Sequence, residues 1–177
     1  MKNQQWLLLM ASVAMGIAWI FLLQNYIFLN LFPGMLVGPG LNLIDFLQTG
    51  SSPAFTFLWA GCITALMIWI GVTWYAKPRS SSQSRQMQPM WWLAAVLLTI
   101  YGWLCLGWFT IFKWQVTGTS PTQGVGNFYP VPTGGWMVLL CFVLIDVILL
   151  FWLPTLLASP RTYRLVVPGA VTLLGSR

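Results

Sequence analysis

Reactive side chains are scarce in this chain, and their scarcity limits its chemistry more than any motif does. There are two acidic side chains, Asp45 and Asp146, three cysteines, Cys62, Cys105 and Cys141, and no histidine. Without histidine there is no Ser-His-Asp triad, no imidazole-held zinc and no histidine-ligated haem. Asp45 falls in a loop and Asp146 in the middle of an apolar run, so the two form no acid–base pair. Gly124 and Gly126, in GVGNFYPVP, have no helix after them and read as turn residues, not as a phosphate cradle. An enzyme is not expected.

Asp146 is the sharpest single feature. Phe142, Val143, Leu149 and Leu150 surround it at helical spacing. A carboxylate at that depth of a membrane costs about 2.5 kcal/mol or more unless it is protonated or paired. No lysine or arginine lies within any apolar run, so an ion pair is excluded. Asp146 is therefore expected to be protonated and to donate a hydrogen bond to another helix or chain. Thr64 and Tyr101 fall at its depth. Its role is either a proton or cation relay or the joining of helices.

The cysteines fall in one layer by the same depth count. Three thiolates would suit a soft ion such as Cu(I), against the plainer use of cysteine as a small buried apolar residue. Trp19, Trp69 and Trp103 lie near mid-depth, where packing competes with contact to a bound lipid, pigment or quinone. Gln24, Asn25 and Asn30 at the end of the first run, with Asp45 beyond it, are candidates for ligand or partner contact. More often such groups satisfy loop backbone.

The elements that position these residues follow from composition. Of 177 residues, 58% are hydrophobic and 6% charged, where a soluble domain carries about 25% charged. The eight basic residues are scattered, which argues against nucleic acid. Four apolar runs, 6–31, 55–75, 91–112 and 136–157, each reach the roughly 20 residues a helix needs to cross a bilayer. They are continuously apolar, unlike barrel strands. The fold class is all-α, integral membrane, with four transmembrane helices in one membrane domain. The first run has a single flanking lysine, excessive length and no small-residue cleavage site, which argues against a signal peptide.

Pro33-Gly34, Pro53, Lys77-Pro78, the segment 76–90, the segment 113–135, Pro154 and Pro160 mark the breaks. Within 41–49, Asn42, Asp45 and Thr49 share one helical face opposite Leu43, Ile44, Phe46 and Leu47. That predicts a short helix lying on the membrane surface. Lys2, Lys77, Arg79, Arg85, Arg161, Arg164 and Arg177 fall on one side and Lys113 on the other. This bias places both ends and the middle loop in the cytoplasm. Lys77, Arg79, Arg85, Arg161 and Arg164, with Tyr163, read as anchors on anionic lipid. Most of the twelve tryptophans fall near span ends, as indole favours the interface.

Small residues at Ala11, Ala14 and Ala18, at Gly61 and Ala65, and at Ala95, Thr99 and Gly102 predict close packing of the first three helices. The bulky fourth is expected to face lipid or a partner. Little polar machinery and a large aromatic surface point to a non-catalytic subunit or assembly factor of a larger membrane complex, photosynthetic or respiratory. The alternative is a small oligomeric transporter or channel using Asp146. Expected partners are membrane lipids and other integral subunits, in a bacterial inner membrane or an organelle.

Overall fold

The computed structural model describes residues 3–36, 44, 47–75, 85–109, 133–160, 163 and 165–170. Among these, every regular element is helical, and four helices are long and apolar enough to cross a membrane. The first span runs through α1 (Asn3–Ala18), a π-helical turn (Trp19–Gln24) and α2 (Asn25–Leu31), followed by the short α3 (Pro33–Leu36). A second π turn (Leu47–Ser51) leads into α4 (Ser52–Tyr75), the second span. The third span is α5 (Gln88–Gly107). The fourth comprises α6 (Thr133–Val147), a π turn (Ile148–Trp152) and α7 (Leu153–Ala158).

Prolines explain where these boundaries depart from expectation. Pro53 and Pro89 read as breaks, yet both lie inside the first turns of α4 and α5. At Pro89 the proline gives up an N–H that has no helical partner anyway, whereas Pro53 comes just after the π turn Leu47–Ser51, which widens the helix ahead of its ring. Pro154 and Pro160 together were expected to close the fourth helix near residue 157, and the helix runs through Pro154 to Ala158. The Pro154 ring would clash with the carbonyl four residues back. The π turn at Ile148–Trp152 widens the helix just ahead of it and lets the chain continue. Termination comes at Ser159, held extended (φ −65°, ψ 136°) by the following Pro160.

The fourth span is the hub, which corrects the expectation that it faces outward. It packs against the other three, and 39% of its apolar window is buried against 28% in each of the others. Its bulk fills holes left by small residues elsewhere. Leu150 seats over Gly16, and a Cβ added to Gly102 would lie 2.7 Å from Val143 and 3.1 Å from Leu58. Small residues make the recess and large ones the knob, so the bulkiest helix can be the most enclosed. Gly61 does lie beneath the Tyr101 ring, as its stripe predicted. Ala11 and Ala14 face outward.

Aromatic rings fill the half of the bundle beyond Asp146. Phe28 is fully buried, with its ring centroid 4.7 Å from Phe142 and 5.8 Å from Phe55. At the opposite end the chain folds back after α7. Tyr163, Val166, Val167 and Ala170 join the core there.

Candidate functional site

Asp146 is fully buried, and the indole N–H of Trp19 donates to its Oδ1 at 2.6 Å. The partner does come from another helix, but it is neither Thr64 nor Tyr101. The observed bond also runs opposite to expectation, since the carboxyl accepts. Thr64 is exposed and donates to the carbonyl of Ala60 on its own helix. Tyr101 is 38% exposed, and its ring lies over Gly61 of the second span.

The π turn is what builds this site. In an α-helix, residues five apart lie about 140° apart around the axis. In a π turn the i→i+5 hydrogen bond stacks them on one face. Trp19 and Gln24 open and close such a turn, so both address the fourth span. Gln24 is 1% exposed and lies beside the Asp146 carboxyl. It makes no hydrogen bond in this orientation, and Oδ2 of Asp146 also lacks one. Phe142, one turn ahead of Asp146, stacks on Trp19 with centroids 6.0 Å apart and planes 10° apart. That stack fixes the indole edge toward the carboxyl. The buried thiol of Cys62 lies within electrostatic range from the second span.

The same arrangement recurs along the fourth span. Trp91 of the third span donates to Oγ1 of Thr155 at 3.1 Å, and Trp69 of the second donates to Oγ of Ser159 at 2.9 Å. Each of the other three spans thus fastens to the fourth, or to the residue just after it, through one indole N–H. Thr155 donates in turn to the carbonyl of Trp152, and Trp152 donates to the carbonyl of Pro168 at 2.8 Å, which ties down the returning chain. Trp69 therefore serves as a tie between helices. Thr155 and Ser159 were missed in sequence. The available signal was that hydroxyls in an apolar helix need partners, and tryptophans at matching depth supply them.

The remaining candidates do not converge. Asn25 accepts from Ser52 at 3.2 Å and Asn30 donates to the carbonyl of Tyr26, so both serve local structure. Cys62 and Cys105 are buried while Cys141 is exposed on the outer side of the fourth span. Among the described residues no three metal-ligating groups come together, so the depth layer hid a difference in facing. Trp103 is 40% exposed. With Phe57, Tyr101, Cys105 and Trp108 it lines an apolar groove of about 720 Å³ between the second and third spans. A second groove of about 320 Å³ lies between the third and fourth, walled by Trp91, Trp92, Leu144, Ile148 and Trp152. Asp146 lines neither.

Arg85 is exposed. Asp45, Lys77, Arg79, Arg161 and Arg164 lie outside the described residues, as does most of 41–49. Its last residues, Leu47–Thr49, belong to the π turn that enters α4. Tyr163 is no lipid anchor: it is 2% exposed and packs edge-on against Trp69 at 6.5 Å. Burial pushes its hydroxyl above the ordinary value of 10.0. No protein family, curated protein or solved structure matches the chain.

Proposed function

We propose that this chain is a non-catalytic integral membrane subunit or stabilising factor of a larger membrane complex, with energy-converting assemblies as the favoured hosts. The observation that carries this reading is how the bundle uses its polar groups. Asp146, the carboxyl within the spans, is fully covered and bonded to Trp19, and Thr155 and Ser159 each hold an indole. These groups fasten helices together and line neither groove. The outward surface carries Trp92, Trp103, Trp108, Tyr101 and Phe57, all large and at least 38% exposed. Both termini face the cytoplasm in this reading, because seven of the eight basic residues then fall on that side.

Native purification in mild detergent tests it. A subunit is recovered with the same integral proteins in fixed stoichiometry, and its deletion lowers the amount of that complex. Recovery without partners, together with Asp146-dependent ion or proton flux in liposomes, supports a small oligomeric transporter instead. Tags at either end, reachable only after the cell membrane is opened, test the orientation.

A further inference from the structure

Unpaired polar atoms remain at several places in the bundle. Among the described residues, Ser51, Trp59, Trp74 and Trp136 each bury one such atom, and Gln24 and Asp146 bury three between them. Those three are Nε2 and Oε1 of Gln24 and Oδ2 of Asp146. The last two residues are adjacent and chemically complementary. An amide carries a donor and an acceptor on one rotatable group. A carboxyl needs a donor facing it when ionised and an acceptor when protonated. The π turn places Gln24 on the face that presents Trp19, and the π turn of the fourth span, Ile148–Trp152, begins two residues after Asp146. Single π turns of this kind recur at functional sites.

The oxygen count decides which ligand such a pair could take. Oδ2 and Oε1 are two side-chain oxygens, whereas a hard metal cation gathers about six. A proton needs one acceptor. We propose that Asp146 and Gln24 form a proton-binding site at mid-span, with the Gln24 amide turning to match the charge on the carboxyl. In the protonated state Oδ2–H donates to Oε1 of Gln24. In the ionised state the proton has passed to water, and Nε2–H of Gln24 donates to Oδ2. The Trp19 N–H stays on Oδ1 in both, so the two helices remain fastened through the exchange. This pairing satisfies Oδ2 of Asp146 and one of the two Gln24 amide atoms in either state, which removes part of the penalty of unsatisfied buried groups.

The surroundings contribute little competing charge. Cys62 is the titratable group that the second span brings within range. Tyr101 of the third span interacts with Cys105 on its own helix and with Cys62. Trp19 and Gln24 of the first span do not titrate, and no lysine, arginine or second acid lies in any span. The proposal does not depend on the subunit reading, since a subunit or a transporter can carry the site.

Infrared difference spectra of the full chain in lipid nanodiscs, in H₂O and D₂O across about pH 4 to 10, test it. With two acidic side chains in the whole protein, the carboxyl region is uncrowded. The expected result is a protonated-carboxyl band, shifted by D₂O, that gives way to carboxylate bands as pH rises and is lost in Asp146→Asn. Asparagine keeps an oxygen for the Trp19 N–H, so that variant retains the fastening. In Gln24→Met the band persists but moves to higher frequency, because its O–H has lost its acceptor. Absence of any Asp146-dependent change across the range overturns proton binding. A titrating band with unchanged frequency in Gln24→Met overturns the role of Gln24.

Discussion

The bond from Trp19 to Asp146 invites a double-mutant cycle. Trp19→Phe keeps an aromatic ring over Phe142 and deletes the N–H; Asp146→Leu deletes the acceptor and keeps apolar bulk. Each single change also alters packing, and the cycle cancels those parts. Interhelical hydrogen bonds in membranes average about 0.6 kcal/mol and reach about 1.7, because partly unfolded helices find other partners. This bond is short at 2.6 Å, its acceptor is fully buried, and its donor is held by a ring stack. It belongs at the upper end, so the expected coupling is about 1–2 kcal/mol. Reversible unfolding in mixed micelles, followed against the mole fraction of a denaturing detergent, measures it. Coupling of zero within error would falsify the view that this bond fastens the first span to the fourth.

Other perturbations follow from the same contacts. Gly102→Ala drives a Cβ against the stiff Val143 and against Leu58, Gly16→Ala drives one against the fully buried Leu150, and each costs about 2–3 kcal/mol. Gly71→Ala meets nothing and is neutral or stabilising, so a reversed ranking in the same unfolding assay contradicts the packing described. Thr155→Val removes the acceptor of Trp91 with little change of shape, and is expected to lower stability by about 1 kcal/mol. If Trp91→Phe lowers it equally in wild type and in Thr155→Val, the bond contributes nothing. For Tyr163 the folded state holds the hydroxyl proton more tightly than the unfolded chain. Its stabilising contribution is therefore fully present below about pH 10 and is lost as pH rises through the raised folded value. Tyr163→Phe should flatten that alkaline loss in a pH series of unfolding midpoints, and an unchanged slope counts against burial of the ring.

Four helices were legible because lipid imposes one coarse requirement, a long unbroken apolar run that satisfies its own backbone. Facing was less legible. Cys62, Cys105 and Cys141 share a depth but not a direction, and depth is all that counting from helix ends supplies. Asp146 stood out because a lone acid in an apolar run is costly wherever it points. Its partner did not, because Trp19 and Gln24 meet the same helix face only through a π turn, and a 3.6-residue period puts them on different faces. The fourth span was misread for a related reason. Bulk along a helix says nothing about whether a neighbour offers a recess, and Gly16 and Gly102 offer two. Proline misled at Pro53 and Pro89 because its effect depends on whether the N–H it lacks had a partner to lose and on whether a π turn makes room for its ring.

Purification from native membranes, with crosslinking before solubilisation and mass spectrometry of the recovered species, tests the proposed function most directly. A subunit is found crosslinked to the same integral proteins at constant stoichiometry, and that assembly is depleted when the chain is deleted. Recovery of the chain alone or only with copies of itself, with every other membrane complex unchanged by the deletion, contradicts it.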